Sequence, residues 1–351
     1  MDPAAVRPVI YGVSVSLREP NDILKRFDED FAQLASLGVG QIRLAFDWAA
    51  LQPRAGGLDD EWCERYHVIV SSARAHGLGV VAGLRDGATP GWFEDEGGFG
   101  DQKAAGRWWP RWVEAAAATF GDHLAGFIPL ADPVGAVAAW AADSRRHVEA
   151  LRNVAVAWRD AWHILEGGPP VGTDLALRVV MPADNSLEAI QAARWDDRLQ
   201  WRMWLRAWRD GVMTLPDDSQ IRVEGLAGTL DVLGWSTGCD LPGNLAAGRD
   251  AMHRWTDDLS GMLRRVAEEG PERPMALTLR ASAVDDDQRR DLMEVSVRGL
   301  TEAVQDGIPL HMAILDPAVD TGRTPRRAGL LDRDREVPAS SSVWLGRASS
   351  V

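Results

Sequence analysis

A chain of 351 residues is more than twice the length of a usual single domain, and its 46% hydrophobic and 26% charged residues match a globular protein with a large core, not a disordered or fibrous one. Thirty-eight Lys and Arg against 52 Asp and Glu leave a net charge of −14, which repels phosphate backbones and anionic lipid and excludes non-specific binding to nucleic acid or membrane surfaces. Cys63 and Cys239 lie far apart without a CxxC, so neither a disulfide framework nor a cysteine zinc site is expected, as suits a reducing cytoplasm. The opening MDPAAVRPVIYGVSV lacks the apolar core of an export signal, and the most apolar long stretch, 124–142, is broken by Pro129, Asp132 and Pro133, so no membrane span is expected either. Lys25 and Lys103 are the only lysines among many arginines, the codon bias of a GC-rich bacterial genome.

In chain order, short apolar runs rich in β-branched residues predict strands at Val9–Ser14, Gln41–Phe46, Gly79–Leu84, Leu124–Leu130, Asp174–Val180, Val232–Ser236, Met275–Leu279 and Leu310–Leu315. Amphipathic stretches between them predict helices over 23–37, 62–75, 103–120, 144–164, 187–209, 245–268 and 286–304. Gly38, Gly77, Gly121 and Gly307 follow four of these where a left-handed C′ residue is wanted. Eight strands alternating with helices, and no Ser- or Pro-rich linker, predict a single α/β domain over 1–351, a (β/α)8 TIM barrel with extended βα loops whose barrel proper runs from about 9 to 345; a doubly wound sheet is the alternative. Chemistry in such barrels sits at the C-terminal strand ends, which directs attention to Ser14, Arg43 to Trp48, Arg85, Asp86, Asp132, Arg178, Trp235, Ser236, Arg280 and Asp316.

The segment DEDFAQLASLGVGQIRLAFDWAALQP (28–53), the following LDDEWCERYHVIVSSARAHGLGVVAGL, and then PVGAVAAW, VVMPADNS, LAGTLDVLGWS, RPMALTLRASAVDDDQRRD and AGLLDRDREVP resemble, in order, segments of the family 1 glycoside hydrolases, the β-glucosidase-like retaining enzymes. The resemblance covers about 11–344 and implies their barrel. It also shows where the chain departs from their chemistry. The family's acid/base motif T-[FL]-N-E-P is matched by Pro129-Leu130-Ala131-Asp132-Pro133, with aspartate for glutamate, and its nucleophile motif T-E-N-G by Thr278-Leu279-Arg280-Ala281, with leucine for glutamate. Glu19 and Asp86 fall where the family has a sugar-binding glutamine and histidine, Ser236 and Thr237 replace an Asn-Tyr pair, and Asp316 or Asp320 stands near the eighth-strand sugar anchors. Arg43 matches the arginine that supports the nucleophile.

Retaining hydrolysis needs two carboxyl groups roughly 5–5.5 Å apart, and leucine supplies none. The expected protein is therefore a diverged barrel repurposed as a non-hydrolytic small-molecule enzyme, in specialised metabolism, with Asp132 and Asp86 transferring protons. The alternatives are a pseudoenzyme that binds a carbohydrate-like ligand or a protein partner, and an inverting glycoside hydrolase that works through Asp132. Buried arginine is rare unless paired, so Arg43 reads as an internal salt bridge with Asp86 or Asp132 or as a ligand contact. Arg178, on the inward parity of the fifth strand, with Arg85 and Arg280, points to a polar or anionic ligand group, against the plainer reading of rim arginines. Trp48, Trp92 and Trp235 are candidate walls for a ring, whereas Trp195, Trp201, Trp204 and Trp208 share a helix and read as packing. The seven histidines form no HxH or HExxH, and Asp285-Asp286-Asp287 lacks the rest of a calcium loop, so no metal and no cofactor are expected. The oligomeric state is not legible.

Overall fold

Eight strands run parallel in the computed structural model: β1 (Ile10–Ser16), β2 (Gln41–Ala45), β3 (Gly79–Arg85), β4 (Gly126–Leu130), β5 (Leu175–Ala176), β6 (Leu233–Asp240), β7 (Met275–Ser282) and β8 (Leu310–Leu315). The structure describes residues 8–17, 22–215, 217–241, 245–320 and 327–348. The strands follow the order β4-β3-β2-β1-β8-β7-β6-β5, and a parallel bridge from Phe127 to Val171 brings β4 to the segment leading into β5. The Asp132 amide donates to the Asp174 carbonyl at 2.8 Å and completes the ring. With helices between successive strands, this is the expected (β/α)8 barrel.

Period-two alternation divides each strand between two environments. Val13, Ile42, Leu44, Val80, Leu84, Leu277, Leu279 and Leu315 point outward and are fully or almost fully buried under the helices. The alternate positions face the barrel axis; many are small or polar, as with Gly12, Ser14, Arg43, Gly234, Ser236 and Thr278, and in the lower half some are aliphatic, as with Val81 and Ile314. Helix starts are capped by acceptor side chains: Asp59, Asp101, Asp143, Ser186 and Asp285 each accept a backbone N–H of the first turn. Gly38, Gly77 and Gly307 adopt the left-handed backbone expected after a helix. Gly121 does not; at φ −53° it carries the helix Gln102–Phe120 into a 3-10 turn, which delays β4 to Gly126.

Two expected elements are cut short or interrupted. The fifth strand, expected over 174–180, is only Leu175–Ala176: its ladder with β6 ends at Ala176 opposite Ser236, and past it the Leu177 amide donates to the Ser236 carbonyl at 2.8 Å; on its other side β4 has ended at Leu130, and Asp132 takes a left-handed φ of 43°. The helix expected over 187–209 contains a π turn at Arg198–Arg202, between Leu187–Asp197 and Met203–Asp210. On it Trp201, Trp204 and Trp208 are buried and Trp195 is exposed. No helix among the described residues is long and apolar enough to cross a membrane.

The segment after β8 is locked to the first helix by a charge cluster. Arg335, itself in a left-handed backbone conformation, donates from Nε to Asp30 Oδ1 at 2.9 Å and from Nη2 to Asp30 Oδ2 at 3.0 Å and Asp22 Oδ1 at 2.7 Å. Asp30 is completely buried, so removing its cation strands a charge in the interior. Arg335→Met is expected to lower unfolding free energy by about 3–5 kcal/mol, read as a shift in urea midpoint at unchanged slope.

Candidate active site

The C-terminal strand ends open on a cleft of about 460 Å³. Its floor is an ion cluster centred on Arg43, which β2 turns toward the axis between the outward Ile42 and Leu44. Arg43 donates from Nε and Nη2 to Asp86 Oδ2 at 3.0 and 2.8 Å, and from Nη1 to Thr278 Oγ1 at 3.2 Å. The same Nη2 lies 2.7 Å from Asp174 Oδ2. One guanidinium thus joins β2 to the residue after β3, the residue before β5 and the middle of β7. Burial pulls Arg43 down, but the Asp174 and Asp86 carboxylates outweigh it and hold the guanidinium above its ordinary range. Burial also pushes the Asp174 carboxyl up, against the pull of Arg43, because two carboxylates share one cation and Asp174 has almost no access to water.

Glycines give the acids their positions. A Cβ at Gly83 would come within 2.9 Å of Asp86, so its absence lets Asp86 fold back onto Arg43. A Cβ at Gly135 would overlap the Asp132 carboxylate, whose Oδ1 accepts from the Gly135 amide at 3.0 Å. Asp132 therefore caps its own loop from a left-handed backbone, a conformation aspartate tolerates at modest cost, and presents its carboxyl to the cleft. Arg85 lies beside it, donating from Nη1 to the Ala131 carbonyl at 3.0 Å, while its buried Nε has no partner among the described residues. Burial lowers the Arg85 pKa despite the nearby Asp132, Asp86 and Glu94.

The structure brings Arg43, Asp86, Asp132, Ser236 and Asp316 together around this cleft. Arg178 faces an adjoining recess of about 380 Å³ together with Arg280, and the recess shares Ser236, Thr278 and Asp316 with the cleft. Arg178 is largely exposed and reaches Asp196 only at 4.0 Å, so it is a rim cation and not a buried inward one. Glu19 lies outside the described residues.

The three tryptophans expected as walls do not line the cleft. Trp48 is buried and stacks on Trp112 at 5.6 Å, with its indole N–H donating to Gln52. Trp92 packs edge-on against Trp48 and Trp108 and donates to the Gln52 carbonyl. Trp235 is buried on β6 and borders not this cleft but a second cavity beneath it. The first two form an aromatic layer that seats the second and third βα loops, a packing role that strand-end position alone does not distinguish from ligand stacking. Arg43 pairs with Asp86, as one reading had it, and not with Asp132. Its other partner, Asp174, was not singled out, although a carboxylate opening an apolar strand at inward parity was a readable signal.

No family model matches the chain. β-Glucosidase 17 of Arabidopsis thaliana is 27% identical over 112 residues, which span 31% of this chain and 22% of the length of that curated relative. The family 1 β-glucosidase of Thermotoga maritima in complex with isofagomine lactam superposes with a TM-score of 0.81 at 16% identity, covering 97% of each chain. The family 1 β-glucosidase of Exiguobacterium antarcticum B7 gives 0.80 at 15% identity over 97% of each chain, and the AHE enzyme of Alicyclobacillus herbarius gives 0.81 at 16% over 97% of this chain and 96% of that one. The fold is that of the family 1 β-glucosidases, a glycosidase-like TIM barrel.

Because Asp174 and Asp86 share Arg43, Arg43→Met leaves two neighbouring carboxylates without a cation. It is expected to cost about 3–5 kcal/mol of stability at pH 8. The raised Asp174 carboxyl binds its proton more tightly folded than unfolded, so its contribution favours the fold at low pH and is lost as pH rises through the folded pKa. Arg43 is what holds that carboxyl down against burial, so without it Asp174 rises further in the variant than in the parent, and the deficit should shrink between pH 8 and pH 5, measured as denaturant midpoints of both proteins across that range.

Proposed function

We propose that this protein is a glycosidase-like barrel that has given up retaining glycoside hydrolysis and acts on a small polar ligand in the cleft without a glycosyl-enzyme intermediate. The observation that carries the reading is the side-chain parity of β7. Leu279, matched to the family's nucleophile, is fully buried and faces the helices, while the inward positions on either side are Thr278 and Arg280. Whichever of these three is taken as the counterpart, β7 offers the cleft no carboxylate to attack an anomeric carbon.

The groups left for chemistry are Asp132 and Asp86. Asp86 Oδ2 is bound by Arg43, while Oδ1 has no hydrogen-bond partner among the described residues and is open to a ligand proton. Asp132 has one oxygen in its own cap and the other available. Both carboxyls line the cleft, where Arg43 already neutralises part of the acidic floor, and a carboxyl there can give or take a ligand proton. The expected anionic site moves accordingly. Arg43 is engaged, and the cations turned toward an incoming group are Arg85 in the cleft and Arg178 and Arg280 in the recess. A ligand with hydroxyls over Asp132 and Asp86 and a carboxylate or phosphate toward the recess fits both halves.

Incubation with a 2-fluoroglycoside inactivator followed by intact-mass measurement is expected to show no adduct, and aryl β-glycosides no turnover; a stoichiometric adduct would falsify the proposal. In thermal-shift assays sugar acids or sugar phosphates should stabilise the protein more than the neutral sugars do. Arg178→Met with Arg280→Met should remove that difference, and equal response to neutral and anionic ligands in the parent protein would discard the anionic recess.

A further inference from the structure

A second cavity, of about 450 Å³, lies beneath the cleft in the N-terminal half of the barrel. Barrels of this class normally fill that space with layers of branched side chains. Here the inward positions include Gly79, Gly126, Gly172, Gly234 and Ala276. Crowding accounts for only some of them. A Cβ at Gly234 would collide with the Thr173 carbonyl, whereas one at Gly79 would lie 3.4 Å from Ala125 and one at Gly172 3.7 Å from Val232, ordinary contacts. The walls between these small residues are Val81, Ile128, Met312 and Ile314. Val81 and Ile128, with Ala131, stand apart from the main hydrophobic core as a cluster of their own. At the N-terminal end Ile10 is 42% exposed, so the apolar lining reaches the surface there.

The inner end of this cavity is polar. Arg43, Asp174 and Thr278 line both it and the cleft above, and so form a partition one side chain thick. Asp174 is 96% buried and spends Oδ2 on Arg43. Its Oδ1 is buried and receives no hydrogen bond of good geometry, although Ser236 is near enough to favour the charged form. A buried oxygen without a hydrogen bond of good geometry, on a residue that lines the chamber as well as the cleft, costs free energy that a single hydrogen-bonding group on an apolar body in the chamber would recover.

We infer that the lower half of the barrel is a second binding site, separate from the cleft, which takes a small amphiphile: a hydrocarbon or aromatic body against Val81, Ile128 and Ile314 with one hydroxyl reaching Asp174 Oδ1. The site is independent of any chemistry in the cleft. A hydroxyl suits Asp174 in either protonation state, since it both donates and accepts. The volume is that of an ordinary small-molecule pocket; the Arg43, Asp174 and Thr278 layer closes its inner end, and the buried Gln41 is a further polar group in its lining, toward the N-terminal end.

The probe is 1-naphthalenemethanol, titrated calorimetrically into the full chain, with 1-methylnaphthalene as the partner lacking the hydroxyl. Saturable one-to-one binding with a negative heat-capacity change is expected, weakened at least about tenfold for 1-methylnaphthalene, a loss of about 1.4 kcal/mol. Ala276→Leu fills the chamber and should also weaken the alcohol at least about tenfold; Asp132→Asn, on the cleft side, should leave it unchanged. Absence of binding to the parent protein, undiminished binding to Ala276→Leu, or its loss in Asp132→Asn would each overturn the inference, the last by placing the probe in the cleft. Should Ala276→Leu not fold, Val81→Phe makes the same test. A crystal of the parent protein soaked with the alcohol must in any case show the ring below Arg43.

Discussion

The Arg43 guanidinium is the piece on which the rest of the barrel interior depends. Three of its nitrogens reach residues from three other strands, and the carboxylates it gathers would repel one another without it. The cluster is also tied to the ring itself. The backbone carbonyl of Asp174 accepts the amide of Asp132, so the residue that completes the charge cluster also helps to close the barrel between β4 and β5. That hydrogen bond sits where Asp132 leaves the strand in a left-handed conformation. Closure, the position of the acid at the end of β4 and the charge balance of the floor are therefore coupled through one short stretch of chain.

Above and below this layer the interior has opposite characters. Upward, aspartates and arginines face an open cleft; downward, glycines and aliphatic side chains make most of the wall of a largely apolar chamber, which Gln41 also lines. Most of the apolar burial lies elsewhere. The outward faces of the strands bury valines, isoleucines and leucines under the helices, and an aromatic layer around Trp48, Trp109 and Trp112 anchors the second and third loops. Because the outward residues carry the packing, the inward ones can change without loss of the fold. That separation explains how a chain only 16% identical to the Thermotoga maritima enzyme keeps a TM-score of 0.81 while its β7 offers no inward carboxylate.

What the sequence by itself determined was the order and kind of the barrel strands and the main helices; the antiparallel pair Val212–Thr214 and Gln220–Arg222 escaped it, being only three residues a side. Alternation at period two and 3.6 located all eight strands and the main helices, since both patterns are local consequences of which side of a strand or helix meets the core. The acidic run at Asp285 is a local feature of the same kind, its side chain capping the following helix through a hydrogen bond that spans three residues. The candidate acids were legible too, as charged residues at the ends of apolar runs.

Only the tertiary structure decided which of those residues meet. Arg43 and Asp174 are 131 positions apart, and their pairing follows from strand order and tilt, which no local pattern encodes. Parity separates Thr278 from Leu279, but whether inward means cleft or chamber depends on height along the axis, and height is set by the register between neighbouring strands. The tryptophans show the same limit. Trp48 and Trp92 stand near strand ends, yet the helix Gln102–Phe120 brings its own tryptophans to cover them, and burial of an aromatic is decided by what packs on it, not by its place in the chain.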